Sequence, residues 1–307
     1  ELNFLKEANN AIRARHNFAN RDDVYVPKVM SALTSERVLT MEFIDNACNS
    51  TDREAIQQMG FSIPDVGYKI IDAFAEQTFV HGLLHGDPHP ANVLVRRHPS
   101  NPKKPQIVIL DHGLYRELSD DFRQKYAKFW QSIVLKDDKG IKEYCDGLGI
   151  RDHKMYCTMV MMQGYDDFIP ASSVNMEPMP KTQSGSSSSG GGGRDLLQER
   201  KMSMDDLAKI EEIMKEKKED FMNLYRNLPM EMMIIMRSDN LLRSLNQELG
   251  NGTSVVNRFA VMARAAARGV YWKNEEGNNG NASRTWRDKF SQWRGQITFE
   301  LRLTMIR

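Results

Sequence analysis

The chain has 307 residues, with 42 Lys or Arg against 41 Asp or Glu and a formal net charge of +1. So even a balance gives no reason to expect nucleic acid as a partner, and no apolar run reaches the ~18 residues that a membrane-spanning helix needs. The length suffices for one catalytic domain with an extension, and Cys48, Cys145 and Cys157 show no metal-ligand or disulfide framework, which points to a reducing compartment.

The chain opens in helix-like sequence, where Ala8, Asn9, Asn10, Ala11, Arg13 and Arg15 suit a solvated face and Glu1 reads as already mid-helix, with no cap before it. Val24 to Val29 and Arg37 to Phe43 are β-type runs separated by a Ser/Ala/Thr turn. Asp65 to Gly82 predicts a helix with Ile70, Ile71, Phe74, Ala75 and Phe79 inward. Asn92 to Val95 and Ile107 to Leu110 read as two strands, joined by a polar loop from Arg96 to Pro105 that carries three prolines. Ser119, Asp120 and Asp121 are first-turn chemistry for a helix through Leu135, whose Phe122, Tyr126, Phe129 and Ile133 keep core spacing.

Residues 184–193 are all Ser and Gly, cannot bury apolar area, and divide a catalytic part from a helical tail. In that tail a charged helix is expected from Met204 to Arg226. Met230 to Ile235 with Leu241, Leu242 and Leu245 should pack back on the catalytic part. The last segment, with Trp286, Phe290, Trp293 and Phe299, is the candidate for a peripheral membrane contact.

The chemistry lies in His85-Gly86-Asp87-Pro88-His89-Pro90-Ala91-Asn92 and, after the expected hairpin, Asp111-His112-Gly113. Laid over the kinase catalytic loop H-R-D-L-x-x-x-N, this places His85, Asp87 and Asn92 in register. Phosphoryl transfer needs a carboxylate beside the acceptor hydroxyl and hard oxygen ligands for the Mg²⁺ that neutralises a triphosphate. Asp87 fits the first role, and Asn92 and Asp111 fit the second. Four such fixed letters would arise by chance in a chain of this length on the order of 0.002 times. Pro88 and Pro90 stiffen the turn between the two groups by fixing φ. No peptide-positioning A-P-E signature follows Asp111, so a protein substrate is the weaker expectation.

Ser35-Glu36-Arg37-Val38-Leu39-Thr40-Met41-Glu42-Phe43-Ile44, Leu84-His85-Gly86-Asp87-Pro88-His89-Pro90-Ala91-Asn92 and Ile109-Leu110-Asp111-His112-Gly113-Leu114-Tyr115 together resemble the UbiB-type atypical kinases, also called AarF-domain-containing or ADCK kinases. His112 resembles the mitochondrial ADCK subgroup in particular. The resemblance implies an α+β, protein-kinase-like fold with a mostly helical C-lobe and a helical C-terminal extension. It also implies ATP and Mg²⁺ as ligands and a mitochondrial role in quinone, coenzyme Q or lipid homeostasis, with a lipid or quinone precursor as substrate.

On the same resemblance, Glu1 and Glu7 stand at the family's E-x-D motif and at the glutamate that pairs with the ATP-binding lysine. Asn3 departs from the usual Asp. Met41 falls at the back of the adenine pocket, with Glu42 and Ile44 at its edge. The implied division is a remnant of an N-lobe at 1–45, the C-lobe with its catalytic and metal loops at 46–183, the linker at 184–193 and the extension at 194–307. No Gly-rich nucleotide loop, V-A-I-K strand or K-x-G-Q segment stands ahead of these motifs, so the expectation is an incomplete N-lobe and weak nucleotide binding by this polypeptide alone. Two other readings remain open: a small-molecule kinase of aminoglycoside or choline type, and a pseudokinase that binds lipid or partners.

Overall fold

The structure is a computed structural model that describes residues 3–161, 165, 218–250 and 257–271. Helix α1 (Phe4–Asn17) starts where Asn3, in extended backbone, turns its side-chain oxygen onto the amides of Leu5 and Lys6. This corrects the expectation of a helix without a cap: the amides of a first turn lack intrahelical acceptors, and Asn3 supplies one. Asn9 and Arg13 are exposed as expected of a solvated face, whereas Ala8 and Ala11, with Ala14, are buried and join the core beside the sheet through methyl groups at every third position.

The β-type runs that follow are shorter than expected. Only Val24–Tyr25 forms a strand, β1, and the two runs meet at the single bridges Val29↔Met41 and Ser35↔Val38. Pro27 has no amide to donate, which ends the ladder after two residues. β2 (Ala47–Asn49) leads into α2 (Arg53–Gln58), which is capped by Asp52 on the Ala55 amide.

Helix α3 (Ile63–Phe79) is the central element, with Pro64 and Asp65 in its first turn. It is buried on two sides, and its faces separate two cores. Ile71, Ala75 and Phe79 join one, and Val66, Ile70, Ala73 and Phe74 join the other. The spacing of four within the first set is that of one helical stripe.

Two small sheets follow: β3 (Leu83–His85) pairs antiparallel with β6 (Tyr115–Glu117), and β4 (Val93–His98) with β5 (Asn101–Ile109). β1 adds in parallel to β5 and β2 antiparallel to β4, giving the order β1-β5-β4-β2. The segment expected as a loop is strand almost throughout, paired out to Arg97↔Pro105 with an irregularity at Arg97 and His98. Its outer residues 101–104 are exposed, where a proline costs no buried ladder bond.

α4 (Asp120–Leu135) is capped by Ser119 on the Phe122 amide and stopped by Lys136 in left-handed backbone at φ 55°. α5 (Asp138–Gly147), α6 (His153–Met161), α7 (Lys218–Asn227), α8 (Met230–Leu249) and α9 (Arg258–Tyr271) complete the helices among the described residues. Phe79, Tyr126, Phe129, Trp130 and Tyr156 fill the larger core, and Leu224, Leu228, Met232, Ile235, Val261 and Met262 enter the same core from the tail. α9 crosses α3 with backbone in contact: a Cβ at Gly269 would overlap the Phe79 carbonyl group. Arg123 donates to the carbonyls of both Phe79 and Gly269, at 2.8 and 3.0 Å. Arg21 bridges Asp23, Asp72 and Glu76, and Arg268 of α9 reaches Asp72 at 2.6 Å.

No helix among the described residues is long and apolar enough to cross a membrane. The Ser/Gly segment at 184–193, the charged stretch at 204–217 and the aromatic segment around Trp286 and Trp293 lie outside the described residues.

Candidate active site

Two strand pairs deliver the motif. β3 ends at His85, which sits in register with Tyr115 of β6, and the Gly86 amide donates to the Leu114 carbonyl at 2.7 Å. Asp87 follows directly, aimed by backbone. In the neighbouring hairpin Val93 pairs with Ile109, and the Leu110 amide donates to the Asn92 carbonyl at 2.9 Å. Asn92 therefore enters the hairpin beside the point where Asp111 leaves it. The Asn92 amide nitrogen donates to an Asp111 carboxylate oxygen at 3.1 Å, and the other carboxylate oxygen takes the Gly113 amide at 2.8 Å.

Beneath this pair lies a buried polar scaffold. His85 accepts the Asp87 amide on Nδ1 at 3.1 Å, so its Nε2 carries the proton and donates to the Asp111 carbonyl at 3.0 Å. One imidazole thus ties the loop that carries Asp87 to the loop that carries Asp111. His112 donates from Nε2 to the Ile109 carbonyl at 3.1 Å and accepts the Tyr115 hydroxyl on Nδ1 at 3.0 Å. Tyr115 in turn accepts from Gln77 of α3 at 3.0 Å. Burial pushes the pKa of His85 and His112 down to about 4, against the pull of Asp111, so both are neutral at physiological pH. Burial likewise raises the Tyr115 phenol.

Glu7 of α1 reaches this scaffold. Its carboxylate faces the His112 amide at 3.4 Å, and Asn10 one turn on donates to the His112 carbonyl at 2.9 Å. Burial raises the Glu7 pKa, with the nearby Asp111 charge adding to it and the His112 amide opposing it. The structure thus brings Glu7, Asn92 and Asp111 together. Met41, Glu42 and Ile44 stand on the segment that Met41 bridges to Val29. The Glu42 carboxylate accepts from the Tyr25 hydroxyl at 2.6 Å and the Lys28 amide at 3.1 Å, and its own amide donates to the Lys28 carbonyl. Among the described residues no hydrogen bond or ion pair joins these three to Asp87, Asn92 or Asp111.

The donor set fits Mg²⁺. Asp111 and Asn92 offer hard oxygens on one hairpin mouth, and no cluster of three or more His, Cys, Asp or Glu competes for a metal among the described residues. A metal held here would complete its shell from phosphate oxygens and water, as Mg²⁺ does in nucleotide sites.

Sequence reasoning missed several of these groups. Tyr115 and Gln77 carry no motif signal, and their bond spans 38 positions. Arg237 of α8 lies 3.5 Å from the Asp87 carboxylate, a contact between residues remote in sequence. For His112 a signal existed, since a polar residue between Asp111 and Gly113 calls for buried partners.

Residues 1–145 match the ABC1 atypical kinase-like domain. The probable serine/threonine-protein kinase abkD of Dictyostelium discoideum is 38% identical, over 91% of this chain and 36% of that protein. Its neighbour abkB, from the same organism, is 31% identical over 90% of this chain and 35% of that protein. Mouse AarF domain-containing protein kinase 1 is 29% identical over 88% of this chain and 46% of that protein. The chain therefore spans about a third to a half of the length of these relatives. Motif register, hairpin geometry and these relatives agree: the chain belongs to the UbiB/AarF (ADCK) family of atypical kinases and has its kinase-like fold.

Proposed function

We propose that this chain carries the phosphoryl-transfer centre of an ATP-dependent phosphotransferase or ATPase. The observation that carries the reading is the meeting of Asn92 and Asp111 at 3.1 Å across one hairpin mouth, with Asp87 tied to the same point through His85. Asp87 accepts the proton of the attacking hydroxyl or water. His85 holds the base loop against the metal loop, so the distance between base and phosphate is set by buried structure rather than by side-chain chance. Asn92 and Asp111 would hold Mg²⁺, whose charge offsets the negative charge of the phosphates. By the family resemblance, Glu7, beside His112, would be the partner of a lysine bound to the phosphates.

The finer reading is a place in mitochondrial quinone or lipid homeostasis. It is supported by the family resemblance, and tested by locating the tagged full-length protein and measuring the quinone pool of cells lacking it. The chemistry is tested in the full-length protein by ADP release and by titration with Mg-ATP. Asp87→Ala should lower turnover by about 10²- to 10⁴-fold with Mg-ATP binding retained. Asp111→Ala should abolish the magnesium dependence of that binding. Turnover indifferent to Asp87→Ala sinks the base assignment.

A further inference from the structure

One face of α8 runs along the catalytic loop. Ile234, Arg237, Leu241, Ser244 and Glu248 follow one another at steps of three or four, the spacing that places side chains in one stripe. Their contacts proceed in loop order. An Ile234 methyl lies 3.4 Å from where a Cβ on Gly86 would be, so α8 rests closely on the start of the loop. Arg237 stands 3.5 Å from Asp87. Leu241, Ser244 and Glu248 then line a cavity of about 340 Å³ whose opposite wall includes His89, Pro90 and Ala91, the residues between the base and Asn92.

Size and placement point to a substrate site, since small-molecule pockets begin at about 300 Å³. The cavity borders the loop that presents Asp87. Its charge selects further. Glu248 is the carboxylate of the lining and no Lys or Arg takes part in it, while Arg237, on the same face of α8, is turned to Asp87. No ion pair among the described residues engages Glu248. The lining also offers hydrogen bonds. His89 accepts the Ala91 amide on Nδ1 at 3.1 Å, which leaves Nε2–H as a donor, and Ser244 adds a hydroxyl. Asn49 and Ser50 brace the wall by donating to the Pro90 carbonyl at 3.4 and 3.2 Å.

We propose that this cavity is the phosphoryl-acceptor subsite and that its occupant is a small alcohol bearing a cationic amine. The proposal rests on the phosphoryl-transfer reading above. Glu248 pairs with the ammonium and His89 and Ser244 orient the chain. The hydroxyl reaches toward Asp87 as the Arg237 pair opens. The acceptor O–H bond breaks, and its proton goes to Asp87. The oxygen bonds to the γ-phosphorus of ATP, and the bond to the β,γ-bridging oxygen breaks with its electron pair leaving on ADP. ATP and the amino alcohol thus give ADP, the phosphorylated amino alcohol and one proton.

The test uses the full-length protein and three probes, ethanolamine, glycerol and glycerol 3-phosphate, with binding read by ligand-observed NMR and Mg-ATP binding read separately. Ethanolamine should bind best. Glu248→Gln should raise its Kd and its KM at least tenfold with kcat little changed, and Leu241→Trp, which fills the cavity, should abolish its binding while Mg-ATP binding stays intact. Tighter binding of glycerol 3-phosphate, ethanolamine binding indifferent to Leu241→Trp, or no binding of any probe overturns the proposal. Ethanolamine binding as expected without any Mg-ATP binding would instead remove the phosphoryl-transfer reading and leave the amine site standing.

Discussion

Asp111 stands on neutral groups, the buried His85, His112 and Gln77 and the half-buried Tyr115, each hydrogen-bonded to the next or to backbone. Asp87 instead faces α8 through Arg237, whose side chain is 58% exposed. The two acids of one site thus have opposite surroundings. On the proposed reading, Asp111 as a metal carboxylate must keep its place through every turnover, and the neutral groups beneath it hold its loop without adding charge. On the same reading, Asp87 as the base must exchange partners as substrate enters and leaves, and an exposed ion pair is weak enough to be displaced.

Acid offers the largest test of this contrast. His85 and His112 have folded-state pKa values near 4 against 6.5 for a free imidazole, so the unfolded chain takes up protons before the folded one does. Their contribution is complete above pH 6.5 and is lost as pH falls toward 4, at about 1.4 kcal/mol per pH unit for each imidazole. Urea titrations in chelator should therefore show stability declining steeply across that window, and His112→Asn should reduce the slope. A flat profile would place these rings in contact with water.

Tyr115→Phe probes the same floor by removing one hydroxyl. It leaves His112 Nδ1 and the Gln77 amide without their buried partner, and about 2 kcal/mol of stability should be lost. A shift in the urea midpoint measures it, and an unchanged midpoint would mean that water replaces the phenol. The roof should respond least. Arg237→Ala is expected to cost less than about 1 kcal/mol, because an exposed pair at 3.5 Å is screened by solvent. A larger loss would show that α8 is clamped to the loop rather than resting on it.

What the sequence made legible follows the range over which each signal acts. Asp87, Asn92 and Asp111 were singled out because phosphoryl transfer calls for fixed letters at short spacing, and the packed chain brings Asn92 and Asp111 together; Ser119 was readable because a cap lies beside its helix. Asn3 was misread through its departure from the family pattern, although Asn caps a helix as well as Asp does. The strand through Arg96 to Pro105 was missed because prolines signal a loop locally, while the tolerance for them comes from exposure at a sheet's outer end. The runs after Val24 were read as strands from apolar content alone, although Pro27 was visible among them. Nothing local to α8 or β3 announces that Arg237 meets Asp87, so the roof of the site, and the cavity beneath it, emerge only from the packed chain.

The seating of α9 on α3 has a consequence for how the protein is made. Val261, Met262, Ala265 and Ala266 close the core that Phe79, Tyr126 and Trp130 begin, with Gly269 against Phe79. Ribosomes add on the order of 5–20 residues per second, so α3 and α4 emerge many seconds before the helix that covers them. Throughout that interval the nascent chain presents an open aromatic surface. It is therefore expected to be a client of holdase chaperones until Gly269 has left the exit tunnel.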